Sequence, residues 1–369
     1  MSGPLLIFDT AMNSAKDKIP QIIINGRFLT QQVSGVQAFA RSICRELGEV
    51  IPLKLVISED DRMIDEEFSD SIVRYGKLKG HLWEQFELSS FIKKHPQATF
   101  LNLCNTAPVN IRNQIVTIHD LAFLHHPEWF RWLFSNYYKF LIPKICRNSK
   151  AILTVSETIK SELIEFLGIA EQKIYVITNK VSGPFLDAVS VAPAKFPFEK
   201  DEYFLMVGTN DPRKNFAMVK SLFNDGFQGK KLVIAGGNHK NFRAITVDEH
   251  SSSCIIRTGY VNDSELKWLY QNACGLINPS LYEGFGIPNI EAFSQGCGVI
   301  CSELRVFKEV CRDAAFYFNP RSNESLKITL ENYIENYGRD GQGISKGKVI
   351  FEELQTKNRS SIILKTLTK

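Results

Sequence analysis

Residues Asn278-Pro-Ser-Leu-Tyr-Glu-Gly-Phe-Gly-Ile-Pro-Asn-Ile-Glu-Ala292 set two carboxylates, Glu283 and Glu291, on either side of a glycine-rich turn. Before the turn, Gly275-Leu-Ile-Asn278 reads as a short apolar strand; after it, Pro288 opens an amphipathic run to Ser294. Proline suits the first turn of a helix, where its missing N–H costs nothing. Gly284 and Gly286 are expected to let the backbone approach a ligand and take positive φ. The amides from Phe285 through Gly286 and Ile287 to Asn289 then form a helix N-terminus, where an anion such as a phosphate is favoured.

This stretch resembles the E-x7-E signature of retaining glycosyltransferases of the GT-B architecture, family 4 (group 1) in particular. Asn278-Pro-Ser280 before it and Gly296-Cys-Gly-Val-Ile300 after it extend the agreement. The resemblance implies that Glu283 touches the hydroxyls of a donor sugar and Glu291 the nucleotide ribose. Backbone amides of Phe285, Gly286 and Ile287 would meet sugar and diphosphate. The likeness covers most of residues 22–330 and is strongest over 203–320.

With 369 residues the chain is long for one core and comfortable for two. A hydrophobic content of 44% with 23% charged residues is that of a globular protein. The net charge of +4 calls for no nucleic-acid partner. An equal excess lies in the last residues from Lys346, which reads as a solvated helix face. The eight cysteines are scattered without zinc-site spacing, so free thiols in a reducing cytosol are expected. Leu5-Leu-Ile-Phe8 is too short for a signal-peptide core. No apolar run reaches the ~18 residues of a spanning helix. A cytoplasmic protein, or one peripheral at the inner face of a membrane, is expected.

The first half alternates strand and helix patterns. Gln21-Ile-Ile-Ile-Asn25 is a buried-strand pattern, and a loop to Gly35 leads into a helix of 36–49 with Val36, Phe39, Ala40 and Ile43 at helical spacing. Further strands are expected at 53–58, 99–103, 115–118, 151–155 and 173–177, with helices at 82–94 and 157–167. Such alternation argues for a parallel sheet that binds ligands beyond its carboxyl ends. His119-Asp120 follow a strand at such an end. The resemblance puts a His at that place near the reacting carbon of the donor sugar, and a glycine at Gly35 beside the diphosphate. Gly35 by itself reads equally as a residue that only starts a helix. G-x-G-x-x-G is absent, which speaks against an ordinary dehydrogenase. Residues 129–147 mix Trp129, Phe130, Trp132, Phe134, Tyr137, Tyr138 and Phe140 with Arg131, Lys139, Lys144 and Arg147. That composition fits a helix packed into the core, which is the commoner case, or one lying on an anionic membrane.

Prolines at 184, 193 and 197 mark a linker. Asn179-Lys-Val181 stands where the family usually has Asn-Gly-Val, which puts the turn at Lys180 in doubt. Tyr203-Phe-Leu-Met-Val207 then runs into Gly208-Thr-Asn-Asp-Pro-Arg-Lys-Asn215: a strand, a glycine and cations at a helix start, a phosphate-binding arrangement. Lys214 matches the family's lysine and Arg213 is its neighbour. Thr209 replaces a common arginine, shifting charge neutralisation to Arg213 and Lys214. Backbone around Tyr260 lines the base pocket in relatives. The glycines from Gly338 to Gly347 are expected to break the pattern before a terminal helix.

These pieces give an α/β protein of two Rossmann-like parallel-sheet domains facing across a cleft. The acceptor-side domain is expected at 1–186, a linker at 187–200, the nucleotide-sugar domain at 201–349, and a helix at 350–369 returning to the first domain. Leaving-group charge on a diphosphate needs a stabiliser. No Asp-x-Asp follows a strand and no His/Cys ligand cluster is found, so Arg213, Lys214 and the helix end are expected to act without metal or other cofactor. The resemblance implies retaining transfer of a hexose, with a lean to mannose, from a GDP- or UDP-linked sugar. The acceptor would be a glycan or lipid-linked oligosaccharide in polysaccharide, O-antigen and lipopolysaccharide assembly. A sugar-nucleotide isomerase or epimerase of the same architecture, and a non-catalytic nucleotide-sugar binder, are the other readings.

Overall fold

Strand β1 (Ile22–Asn25) is buried along its whole length, as a strand covered on both faces must be. The computed structural model describes residues 21–63, 66–194, 198–209, 211–237, 253–336 and 341–368. The lead-in 1–20 and linker residues 195–197 lie outside them. β1 joins β2 (Leu55–Ile57), β3 (Ile72–Arg74), β4 (Thr99–Asn102), β5 (Gln114–Ile118), β6 (Ala151–Thr154) and β7 (Ile174–Val176). Their order is β3-β2-β1-β4-β5-β6-β7, with every pairing parallel. β3 gave no signal in the sequence because it is three residues long and only half-buried.

The second sheet contains β8 (Tyr203–Val207), β9 (Lys231–Ala235), β10 (Ile255–Gly259), β11 (Gly275–Asn278), β12 (Val299–Ser302) and β13 (Ala315–Phe318). It is also fully parallel, in the order β10-β9-β8-β11-β12-β13. Both orders reverse beside their first strand, at β1/β4 and at β8/β11. At such a switch point the loops leave in opposite directions and open a crevice beyond the carboxyl ends.

Helix α1 (Gly35–Gly48) begins with a capping box between Ser34 and Gln37 and buries Phe39, Ala40, Ile43, Cys44 and Leu47. The next helical run, α2 (residues 80–93), is π-wound over Trp83–Leu88. α3 (Trp132–Asn148) and α4 (Glu157–Leu167) cover the first sheet, and α5 (Phe216–Phe223), α6 (Asp263–Asn272), α7 (Ile287–Ser294), α8 (Arg305–Cys311) and α9 (Asn323–Asn336) the second. One apolar cluster runs from Ile24 and Leu101 through Phe185 and Ile363 to Leu205, Leu276 and Phe293, joining the two lobes. All eight cysteines are free.

The C-terminal segment departs from expectation. Gly343 and Gly347 do not break the chain; they lie inside α10 (Gln342–Thr356). A Cβ on Gly347 would stand 2.3 Å from the Phe293 ring, so the glycine lets α10 press against α7. Lys357 and Asn358 then separate α10 from a second helix, α11 (Arg359–Thr368), which returns to α1. The return is latched by Arg359, 1% exposed, whose Nη2 donates to Glu46 Oε1 at 2.6 Å and also to Ser42 Oγ. Lys180 Nζ shares Glu46 at 2.9 Å, so the lysine where glycine was expected belongs to this latch.

Candidate functional site

Asn278 ends β11, and the chain after it folds back on itself through side-chain bonds. Asn278 Nδ2 donates to Asn289 Oδ1 at 2.8 Å, and the Ser280 hydroxyl lies 2.8 Å from Asn278 Oδ1 and 3.1 Å from Glu283 Oε1. The Asn-Pro-Ser that opens the motif is therefore a brace for Glu283. Gly286 follows at φ +100°, and α7 starts at Ile287. Phe285 is buried in the apolar cluster that joins the lobes and anchors the loop there.

Beyond β8, a single turn of 3-10 helix at Pro212–Lys214 brings both cations to the same carboxylate. Lys214 Nζ donates to Glu283 Oε1 at 2.6 Å, and Arg213 Nη1 lies 3.6 Å from Glu283 Oε2. Burial by itself would raise the Glu283 pKa, but Arg213 and Lys214, together with the bonds from Lys214 and Ser280, hold it at about 2. Glu283 is thus an anion at any working pH. Thr209 donates to Asp211 Oδ2 at 2.8 Å, shaping the loop that presents the cations.

Glu291 sits one helix further on, and its environment is the opposite. Burial pushes it up to about 7, against the hydrogen bond of 2.9 Å that Tyr270 donates to Oε2. The two acids of the motif therefore differ in charge near neutrality. Tyr260 is 80% exposed after β10, so its side chain forms no part of this packing.

The first lobe meets this site at the end of β5. His119 is buried, with Nε2 2.8 Å from the Leu103 carbonyl and its ring edge-on to Phe39 at 4.9 Å. Burial lowers its pKa, so the neutral ring donates from Nε2 and keeps Nδ1 as an acceptor. Gly35, at the start of α1, has open space where a Cβ would stand. Gly284 does something other than admit a ligand: a Cβ there would lie 2.0 Å from the His119 carbonyl oxygen. Its missing side chain lets the second lobe's turn rest on the first lobe's backbone, and Ser156 Oγ donates to the Gly284 carbonyl at 2.9 Å.

Three contacts that the sequence did not reveal complete this junction. Asp120 Oδ2 lies 3.8 Å from Arg213 Nη1 across the lobes. The Tyr282 hydroxyl donates to Glu162 at 2.6 Å and accepts from the Leu121 amide at 3.0 Å. The Glu309 carboxylate caps α4, accepting from the amides of Glu157 at 2.8 Å and Thr158 at 2.9 Å. Asp120 stood beside His119 in a readable strand-end pair. Local pattern could not pair Tyr282 or Glu309 with partners 120 and 152 residues away.

Among the described residues no group of three or more His, Cys, Asp or Glu side chains is placed to hold a metal ion. No described helix is long and apolar enough to cross a membrane.

Two family models match the chain in succession: "Glycosyltransferase Family 4" over residues 33–182 and "Glycosyl transferases group 1" over residues 191–348. The O-antigen chain mannosyltransferase RfbU of Salmonella typhimurium is 33% identical over 235 residues, 62% of this chain and 62% of the relative. The O-antigen chain mannosyltransferase B of Escherichia coli is 28% identical over 237 residues, 60% of this chain and 61% of the relative. The matched stretches therefore span less than two thirds of either relative. In fold, the chain is similar to the sucrose-phosphate synthase of Thermosynechococcus elongatus, with a TM-score of 0.72 at 13% identity, covering 95% of this chain and 98% of that one. The two parallel-sheet lobes, each matched by its own half of the family's pair of models, place the chain in the group 1, family 4 glycosyltransferases of GT-B architecture.

Proposed function

We propose that this protein transfers a hexose, mannose by preference, from a nucleotide-diphosphate sugar to a glycan or lipid-linked oligosaccharide. The transfer retains anomeric configuration and serves surface-polysaccharide assembly of the O-antigen kind. The observation that carries the proposal is the approach of Lys214 and Arg213 to Glu283 at the carboxyl end of the second sheet, opposite His119. The names of the two mannosyltransferases to which the chain is similar support the sugar.

Cleaving the bond from the sugar to the diphosphate leaves negative charge on the phosphate. Lys214, Arg213 and the amides at the start of α7 supply fixed positive potential for it. One such donor is worth about 3 kcal/mol, roughly a hundredfold in rate. Glu283 stays ionised, which suits it to accept hydrogen bonds from sugar hydroxyls. On this reading the leaving phosphate takes the proton of the attacking hydroxyl on the same face, and no covalent sugar–enzyme intermediate forms. The cations and these amides are assigned the whole neutralising role, and on this reading the reaction needs no metal.

The same protein is proposed to sit on an anionic membrane through α3. Trp132, Leu133 and Phe140 are 73%, 74% and 60% exposed, and Lys139, Lys144 and Arg147 lie on the same helix without an acidic residue. An apolar strip flanked by cations complements a lipid surface of negative charge.

Incubating the purified protein with GDP-mannose or a UDP-hexose and an octyl glycoside tests the reading. Product anomeric coupling reports retention, and activity in excess chelator reports metal use. Free sugar or an epimerised donor formed without acceptor supports the isomerase instead. A product of inverted configuration, or activity abolished by chelator and restored by magnesium, refutes the corresponding step.

A further inference from the structure

The first lobe carries a second cluster of charged and polar groups, distinct from the Lys214–Glu283 pair. Glu84, on the π-wound part of α2, is 1% exposed. Its Oε2 accepts from Asn25 Nδ2 at 3.1 Å, Arg27 Nη1 at 3.3 Å and Thr106 Oγ1 at 2.9 Å. His81 Nδ1 lies 3.5 Å from Glu84 Oε1 and 3.3 Å from Arg27 Nη1. Burial opposes ionisation of this acid, yet the His81 and Arg27 contacts and the Thr106 bond keep it below the ordinary carboxylate range. A buried carboxylate gains little stability for a fold over a well-packed apolar residue, so such a cluster invites a functional account.

Its position supplies one. Asn25 and Asn102, bonded to each other at 3.2 Å, end β1 and β4, the two strands at which the first sheet reverses its order. Ligands of open parallel sheets lie beyond that point. The loop after β4 also links the cluster to the transfer site: Leu103 and Asn105 hold His119, and Thr106, in the same loop, holds Glu84. Arg27 and His81 are the partly exposed members, with side chains 18% and 33% accessible. The Tyr137 ring of α3 stands 5.2 Å from His81. π-wound turns recur at functional sites, and the one here puts Leu82 and Phe86, 60% and 65% exposed, next to His81 and Gln85.

We infer that Arg27, His81 and Tyr137 form the subsite for the accepting sugar, with Glu84 as the residue that positions the first two. An arginine and a histidine tied to one carboxylate offer directed donors with little net charge, which matches a neutral sugar's hydroxyls. A partly exposed tyrosine ring offers an apolar face for its C–H side. Leu82 and Phe86 are exposed on the helical run that carries His81 and Glu84, which meets α3 through the Tyr137 ring, so an acceptor anchored in lipid would present its sugar at this edge. The inference rests on the transferase reading and deepens it.

Initial rates with GDP-mannose as donor and octyl α-mannoside as acceptor test it, alongside a thermal shift with GDP and UDP. R27A and H81A are expected to raise the KM for octyl mannoside at least tenfold while the nucleotide-induced shift stays as in wild type. E84Q is expected to act through Arg27 and His81, so E84Q/R27A/H81A should lose little beyond R27A/H81A. Should E84Q fold poorly, R27K reads the same positioning, since lysine cannot span both Glu84 and a hydroxyl. An unchanged acceptor KM, an equal rise in donor KM, or no response of the wild type to octyl mannoside overturns the subsite. Absence of any nucleotide shift in the wild type counts against the transferase reading instead.

Discussion

Lys214 Nζ and Glu283 Oε1, 69 residues apart in the chain, meet at 2.6 Å with both side chains about nine-tenths buried. Each charge has its counterion within the fold. A bound pyrophosphate would bring negative charge of its own to the same cations, so donor binding exchanges one partner for another.

Glu283→Gln takes from Lys214 the buried carboxylate it donates to, while Arg213 keeps Asp211 and Asp120. Its melting temperature is expected to fall, and transfer to drop by about a hundredfold or more, the scale of losing one preorganised charge contact. GDP or UDP should then raise the melting temperature of the variant more than that of wild type, because the pyrophosphate replaces the lost carboxylate. Differential scanning fluorimetry with and without nucleotide checks this; an equal or smaller rise in the variant argues against a diphosphate at Lys214.

The two acids of the motif should pull stability in opposite directions with pH. Glu283, held at about 2, stabilises the fold above its unfolded value of 4.5, and that gain fades as pH falls from 4.5 towards 2. Glu291, raised to about 7, contributes fully below 4.5, and its contribution is lost as pH rises through 7. Thermal melts from pH 4 to pH 8, in approximate unit steps on this reasoning, should show Glu291→Gln gaining on wild type as pH climbs. A wild-type minus variant difference that does not change with pH contradicts the assignment.

Gly284→Ala places a methyl group 2.0 Å from the His119 carbonyl oxygen, a backbone atom that cannot swing away. The lobes must shift apart at this contact, while each sheet remains intact. Transfer is expected to fall steeply and the radius of gyration from solution scattering to rise, with the circular dichroism unchanged. Normal turnover in this variant speaks against lobe contact in the active form.

Arg359→Ala removes the buried end of the latch on Glu46 and Ser42 and leaves Glu46 with Lys180 alone of its two cations. A loss of about 3 kcal/mol is expected, the lower range for breaking a buried ion pair. α11 should become accessible to limited proteolysis. Phe39 lies between Arg359, at 5.8 Å, and the His119 ring, so transfer is expected to weaken as well.

The order of strands and helices, the two lobes and the turn between Glu283 and Glu291 were legible from the chain because they rest on local rules. Buried strands are written as unbroken apolar runs such as Ile22-Ile-Ile24 and Tyr203-Phe-Leu-Met-Val207, and the helix start of the motif as Pro288. The cations at Arg213 and Lys214 and the histidine at His119 could likewise be placed at strand ends from spacing and resemblance. Only the tertiary structure decided that Gly284 serves the contact between lobes, that Gly347 serves the contact between α10 and α7, and that Lys180 belongs to the Glu46 latch. It alone assembled Asn25, Arg27, Glu84 and Thr106 into one cluster. The reason is physical: period and propensity act over a few residues, whereas the close approach of two backbones, or the burial of one carboxylate among four donors, depends on segments that meet only once the sheets have formed.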